Sequence, residues 1–234
     1  MDENNLRPIS FQLKPIAPFR LDLTVWALRR RSNNIVDRWD GETYSRLLPL
    51  DGLAVKVAVT QTGPPDNPEL NIETTAPEKG SNIAAIIERM LGTSKDLSGF
   101  YRLASGDARL APLAERFRGL KPPRFPTLFE ALVNGIACQQ ITLSLGILLL
   151  NRLATNYGMS ALQENTSVYA FPLPEDLAGL GTQDIRNLGL SYNKARAIIE
   201  LARIIVDRHL DLEDLEAMDD ETAVSHLLQF RGVG

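Results

Sequence analysis

The amino-acid sequence predicts an α+β protein, in which a small antiparallel sheet with helices is followed by a run of helices. Two observations support this prediction. Residues Val55–Val59 alternate apolar and polar side chains with a period of two, which is typical of a half-buried strand. From about Ser94 onward, apolar residues instead recur at helical spacing between short polar joints. The composition of the 234 residues, 44% hydrophobic and 23% charged, is ordinary for a globular protein.

The first 93 residues are predicted to contain the sheet. A turn signal at Asp40-Gly41 and a proline-rich loop over 63–68 separate its elements. The first helix is expected to end in Arg29–Arg31, because positive charge is favourable at a helix C-terminus. Ser81 is expected to cap the second helix, and Gly92 to end it. The predicted elements are a strand over 9–13, a helix over 19–31, strands over 35–40, 43–47, 55–59 and 70–75, and a helix over 81–90.

The rest of the chain is predicted to be all-α. Residues 118–126 include three prolines and form a stiff connector. Thr127 begins the next helix through a capping box, and Thr142 and Ser191 cap two later helices. Further helices are expected over 182–188 and 220–228. The predicted organisation is an α+β domain, a helical connector and a helical domain, at residues 1–93, 94–126 and 127–234.

Composition excludes several classes of protein. The single cysteine, Cys138, cannot form an internal disulfide, and with two histidines it cannot complete a site of four Cys and His zinc ligands. The longest apolar runs, such as Gly146–Leu150, are far shorter than the roughly 20 residues of a membrane span. Met1–Asn5 is polar, unlike the start of a secretory signal. We therefore expect no metal, no membrane association and no secretion.

Net charge says little about nucleic acid. The formal charge is −4, but eight carboxylates lie in the segment Asp207–His226, where a solvated helical face explains them. Outside this segment, basic residues outnumber acidic ones. A DNA-binding face needs only a local basic patch, so the overall charge does not exclude one.

Polar residues interrupt the apolar helical pattern at Cys138–Thr142. Gln139 and Gln140 lie where the apolar stripe should continue. One interpretation is a helix joint whose amides satisfy backbone groups. The other is a pair of hydrogen-bonding wedges that enter a DNA duplex and fill the gap left by an extruded base. The residues alone leave both interpretations open.

Two further segments indicate a helix start and a glycine turn. Gly189–Arg196 contains a glycine stop and a serine cap, and Lys194 within it is either a solvated surface charge or a phosphate contact. The segment Leu227–Gly234 contains Gly232 and Gly234 and predicts a tight turn with exposed backbone amides. If a helix followed, these amides and the helix dipole would hold a DNA phosphate without reading sequence.

The order and spacing of several segments are specific. "LAERFRGLKPPRFP" leads into "TLFEALVNGIACQQIT", and "FPLPEDLAGL", "LGLSYNKARAIIELA" and "LLQFRGVG" follow. This series resembles the helix-hairpin-helix DNA glycosylases, above all the DNA-3-methyladenine glycosylase II branch. The resemblance implies a small TATA-binding-protein-like sheet before an all-α helix-hairpin-helix glycosylase domain. It also implies that this domain is incomplete at its C-terminus.

The resemblance implies base-excision repair. Such enzymes bend duplex DNA, flip a damaged base into a pocket and hydrolyse its N-glycosidic bond. Gln139 and Gln140 fall at the duplex wedge, and Gly232 and Gly234 fall on the phosphate-binding hairpin. Lys194 is also expected to bind DNA. The catalytic aspartate is expected beyond Gly234, so the 234-residue chain is expected to be inactive. The implied partner is double-stranded DNA with damaged bases, bound by a monomer in the nucleoid or nucleus without a cofactor.

Two alternatives stay open. An oxidised-purine glycosylase of the same superfamily would share the α+β region and could add lyase chemistry through a lysine. A non-catalytic module would recognise bent or damaged duplex through Gln139 and Gln140. Preference for an abasic duplex over an intact one would separate a specific binder from a nonspecific one.

Overall fold

The computed structural model describes residues 9–163 and 165–233. Contacts divide the chain into two compact units. The first unit contains residues up to Ser32, Asp37–Arg46 and Val55–Pro126. The second unit contains Asn33–Val36, Leu47–Ala54 and the residues from Thr127 onward. Among the described residues, each helix is too short or too polar to span a membrane.

Five strands form the predicted small antiparallel sheet. Their order across the sheet is β1-β5-β4-β3-β2, and Ile72 lies opposite both Phe11 and Val59. Ile72 and Val59 are fully buried, which explains the period-two pattern seen in the sequence. The strands are β1 (Ile9–Leu13), β2 (Arg38–Trp39), β3 (Thr43–Leu50), β4 (Leu53–Thr62) and β5 (Glu69–Thr74).

The strand predicted over 35–40 is wrong in its first half. The amide of Ile35 donates to Asn151 Oδ1 at 3.2 Å, and the amide of Val36 donates to Asn34 Oδ1 at 2.9 Å. These side-chain acceptors use backbone donors that a strand ladder would need. Strand β2 therefore begins only at Arg38.

The described residues of the first unit include four α-helices. They are α1 (Leu21–Arg29), α2 (Gly80–Leu91), α3 (Ser98–Ser105) and α4 (Ala111–Arg116). Gly92 ends α2 in the left-handed conformation at φ 61°, as predicted. The predicted Ser81 cap is wrong, because α2 begins at Gly80 after a short 3-10 turn, and Lys79 occupies the N-cap position.

The second unit is mostly a bundle of helices. Thr127, Thr142 and Ser191 each accept a backbone amide at a helix start, so the three predicted caps are confirmed. Val133, Ile147 and Ile198 belong to one buried apolar cluster between these helices. The helices are α5 (Leu128–Cys138), α6 (Leu143–Tyr157), α7 (Pro174–Ala178), α8 (Thr182–Asn187), α9 (Tyr192–Arg208) and α10 (Asp220–Leu227).

The second unit also contains a two-stranded hairpin, so the prediction that it is all-α is wrong at this point. Strand β6 (Ser160–Gln163) pairs antiparallel with β7 (Thr166–Tyr169). Only Val168 of these residues is buried, and Leu162 is 66% exposed. A strand pair that buries so little has no period-two apolar pattern by which to recognise it.

Candidate nucleic-acid interface

The joint between α5 and α6 is a tight turn that exposes two glutamines. Gln139 follows α5 in an extended conformation, with φ −60° and ψ 138°. Gln140 has φ 54°, a left-handed conformation that costs a non-glycine residue about 1–3 kcal/mol. Both residues are exposed. Backbone strain at an exposed polar turn is typical of a functional site.

The two glutamines differ in what they contact. Gln139 Nε2 donates to the Gly232 carbonyl at 2.8 Å, so this amide satisfies a backbone group. The side chain of Gln140 makes no hydrogen bond to any residue that the structure describes. The helix-joint interpretation therefore describes Gln139, whereas the wedge interpretation is left for Gln140. Gln139 anchors the joint through its side-chain amide, whereas the Gln140 side chain has no hydrogen-bond partner among the described residues.

Lys194 lies in the first turn of α9 and reaches across to α5. Its Nζ donates to the Ala137 carbonyl at 2.9 Å and to the Gln139 carbonyl at 2.6 Å. The side chain is half-buried. The ammonium thus neutralises the C-terminal carbonyls of α5, where a cation is favourable. The sequence predicted a DNA contact at Lys194, and the structure places its charge beside the glutamine joint.

The segment after α10 forms the predicted tight turn. Phe230 is buried, and its carbonyl accepts the amide of Val233 at 3.2 Å. Gly232 has φ 82°, and a Cβ there would lie 3.1 Å from the Cβ of Ala197 on α9, so any other residue would be strained. Arg231 Nε lies 3.2 Å from Glu200 Oε2, also on α9. Gly234 lies outside the described residues.

The turn presents backbone donors. Among the described residues, the amides of Arg231 and Gly232 have no hydrogen-bond acceptor. Backbone amides in such a turn can bind a phosphate oxygen without reading base sequence. Of the four predicted site residues that the structure describes, three are joined directly, because Lys194 bonds to Gln139 and Gln139 bonds to Gly232. Gln140 adjoins them in the chain.

The acidic residues near this turn have structural roles. Asp219 Oδ1 accepts the Thr222 amide at 3.0 Å, and Asp219 Oδ2 accepts the Thr222 hydroxyl at 2.8 Å. These bonds lower the pKa of the Asp219 carboxyl and cap α10. Within residues 9–163 and 165–233, no three His, Cys, Asp or Glu side chains gather as metal ligands would.

A second polar feature lies in the first unit, where sequence reasoning missed it. A cavity of about 540 Å³ at the end of α1 is lined by both tryptophans of the chain, Trp26 and Trp39, and by Arg29–Arg31. The sequence interpretation assigned these arginines to the helix dipole alone. Trp26 lies three residues before Arg29, so the two side chains are on neighbouring helical turns. This spacing could have predicted from the sequence that they lie close together.

The fold and the joined turns define a class of protein. Residues 133–231 match the HhH-GPD superfamily of base excision DNA repair proteins, and the chain carries a domain of this superfamily.

Comparison with individual proteins agrees with this assignment. A DNA-3-methyladenine glycosylase of Bacillus subtilis (strain 168) is 31% identical over 156 residues, which cover 67% of this chain and 52% of that protein. The chain thus spans about half the length of that relative. Two solved structures share the fold. The 3-methyladenine DNA-glycosylase from Archaeoglobus fulgidus has a TM-score of 0.82 at 23% identity, covering 96% of this chain and 75% of that one.

The other solved structure is the Clostridium acetobutylicum 8-oxoguanine glycosylase/lyase in complex with double-stranded DNA containing cytosine opposite 8-oxoG. Its TM-score is 0.73 at 17% identity, and the match covers 97% of this chain and 74% of that one. The solved structures confirm the predicted α+β fold, and the family match supplies its helix-hairpin-helix domain.

Proposed function

We propose that this chain belongs to a base-excision DNA glycosylase that acts on alkylated purines of the 3-methyladenine type in double-stranded DNA. The superfamily match and the name of the Bacillus subtilis relative support the reaction class. In this proposal the protein acts as a monomer on chromosomal DNA and hydrolyses the N-glycosidic bond after the damaged base has left the duplex.

One observation carries the proposal. The hydrogen bonds from Lys194 to Gln139 and from Gln139 to Gly232 join the glutamine joint and the glycine turn into one surface. A protein that holds a bent duplex needs both parts together, because phosphate contacts set its position and an inserted side chain keeps the base out. Gln140 is the inserted side chain, and the amides around Gly232 and Gly234 hold a phosphate.

Base flipping explains how such a surface selects damage. Flipping costs a few kcal/mol and costs least where pairing is already weak. An alkylated purine is cationic and leaves readily, so hydrolysis needs mainly a carboxylate near the developing positive charge of the sugar. Asp219 already accepts two hydrogen bonds from Thr222 and is unsuited to that role. We expect the 234-residue chain to bind damaged duplex and to leave the N-glycosidic bond intact.

Binding of an abasic duplex tests the proposal. Fluorescence anisotropy would compare duplexes of one sequence with and without a stable abasic site, with the wild-type chain and with Gln140→Ala. We expect the wild-type chain to prefer the abasic duplex, and Gln140→Ala to lose most of that preference. Gln163→Ala removes an exposed glutamine from β6 and serves as the matched control. Equal, weak binding of both duplexes by the wild-type chain would overturn the proposal.

Borohydride trapping separates the oxidised-purine alternative. A lyase forms a Schiff base between a lysine and the sugar, and borohydride reduces it to a covalent protein–DNA adduct. For the proposed monofunctional enzyme, we expect the protein purified from its native cells to excise 3-methyladenine without an adduct. An adduct with 8-oxoguanine DNA would favour the alternative. Binding without excision by that native protein would favour the non-catalytic module.

A further inference from the structure

We propose that Lys194 is a positioning residue for the Gln139–Gln140 joint, and that it acts through the backbone of α5 rather than through a DNA phosphate. The inference rests on the proposed function, since it assigns the role of one residue in binding damaged duplex. It concerns how the backbone of the Gln139–Gln140 joint is held in place before DNA binds.

The end of α5 needs an external donor. The helix ends without a glycine cap, and its last turn contains no basic residue. The two residues that follow, extended Gln139 and left-handed Gln140, turn the chain away before it can form further helical bonds. Carbonyls at such an end require partners from elsewhere. Lys194 provides them, at 2.9 Å from the Ala137 oxygen and 2.6 Å from the Gln139 oxygen.

The position of Lys194 in α9 also supports a positioning role. Ser191 caps α9, and its Oγ accepts the Lys194 amide at 3.4 Å, so the lysine occupies the third helical position. A positive charge in a first turn is unfavourable for the helix that carries it, and α9 has no acidic residue there to compensate. The positive charge of Lys194 is therefore unfavourable at the N-terminus of α9 and favourable at the C-terminus of α5.

The consequence for Gln140 is geometric. The ammonium fixes the carbonyl that directly precedes Gln140, and the Gln139 side chain fixes the same joint to Gly232. A strained left-handed residue persists only when its surroundings hold it. Two such anchors hold the Gln140 backbone in place, which lowers the ordering cost of inserting its side chain into a duplex.

Salt dependence distinguishes positioning from phosphate contact. A lysine that neutralises a duplex phosphate adds about 0.9 to the slope of log affinity against log salt concentration. We expect Lys194→Met to leave this slope unchanged and to lower the preference for abasic over intact duplex roughly fivefold, the equivalent of one net hydrogen bond. Lys14→Met removes an exposed lysine of the first unit and controls for net charge. A slope reduced by about 0.9 with the preference intact would overturn the inference.

The single cysteine supplies a readout that needs no DNA. Cys138 is the last residue of α5, beside the two carbonyls that Lys194 holds, so the rate of thiol modification reports opening of that helix end. We expect Lys194→Met to speed modification roughly fivefold and Lys14→Met to leave it unchanged. An unchanged rate in Lys194→Met would overturn the inference even if the proposed function holds. If the wild-type chain shows no abasic preference while the thiol result appears, only the proposed function fails.

Lys194→Arg covers the case in which Lys194→Met does not fold. It keeps the positive charge while moving the donors that reach the two carbonyls. Positioning then predicts faster thiol modification and a lower abasic preference at an unchanged salt slope. Wild-type values for both quantities in a folded Lys194→Arg chain would contradict it.

Discussion

The two units hold their important polar groups in opposite ways. In the first unit, Arg46 lies 2.8 Å from Asp37 and the Tyr44 hydroxyl donates to Asp37 at 2.8 Å, with all three side chains buried. In the second unit, Gln139 and Lys194 bond to backbone carbonyls at the surface. The first arrangement fixes the interior beside the sheet. The second fixes exposed turns while keeping backbone amides available to a partner.

Each unit also carries its own spectroscopic or chemical probe. Trp26 and Trp39 are the only tryptophans and both belong to the first unit, whereas the only cysteine, Cys138, belongs to the second. Tryptophan fluorescence and thiol modification therefore report the two units separately. Variants can thus test whether the interior and surface networks respond as differently as their contacts indicate.

The largest effect is expected in the first unit, from Arg46→Met. Arg46→Met takes the positive charge away from Asp37, and breaking a buried ion pair in this way costs about 3–5 kcal/mol. Arg46 and Asp37 are 1% and 2% exposed, so solvent cannot compensate. Urea unfolding followed by tryptophan fluorescence measures the loss. Arg109→Met, at an exposed arginine of the same unit, should change stability little. Equal stability of the two variants would show that the buried network is unimportant.

A smaller effect is expected in the second unit, from Gly158→Ala. A Cβ at Gly158 would lie 2.0 Å from the Ala170 carbonyl oxygen, so the backbone must shift, at a cost of about 1–3 kcal/mol. Gly135→Ala is the matched control, because nothing lies within 4 Å of its Cβ and alanine favours a helix by about 0.5–1 kcal/mol. The urea concentration at the midpoint of unfolding, followed by circular dichroism, should fall for Gly158→Ala and rise for Gly135→Ala. A shift of both midpoints in the same direction would contradict the close packing of Gly158 against Ala170.

The smallest effect concerns pH and the cap of α10. The bonds from Thr222 lower the pKa of Asp219, so the ionised cap stabilises the fold above the ordinary value of 3.8. This contribution is lost as the pH falls through the lowered value. Thermal melting between pH 2 and 6 should show it in the wild-type chain. Asp219→Asn keeps a capping oxygen without the titration, so it should remove this part of the pH dependence. A wild-type pH profile in Asp219→Asn would refute the role of the carboxylate.

Local signals explain what could be predicted from the sequence. The caps at Thr127, Thr142 and Ser191 each involve an amide three residues on, so the pattern and the contact lie in the same short segment. The glycine end of α2 is local in the same sense. Hairpin β6–β7 was missed because its strands bury almost nothing.

The contacts of the candidate site are not local. Lys194 meets a carbonyl 55 residues earlier in the chain, and Gln139 meets one 93 residues later. No periodicity or motif encodes such a pairing, because the packing of α5 against α9 brings the residues together. A family resemblance supplied the candidate site residues. It left open which glutamine bonds to the backbone, and the structure shows that Gln139 does so.

Amide chemical-shift mapping with an abasic duplex would show whether DNA binds at the glutamine joint and the glycine turn. An isotope-labelled chain would be titrated with abasic and intact duplexes of the same sequence. We expect the largest shifts at residues 139–141, 192–194 and 229–233, all in the second unit, and stronger ones with the abasic duplex. The indole signals of Trp26 and Trp39 report the first unit. Large shifts of the indole signals, with unperturbed signals at the glutamine joint, would contradict a DNA interface in the second unit and place it in the first.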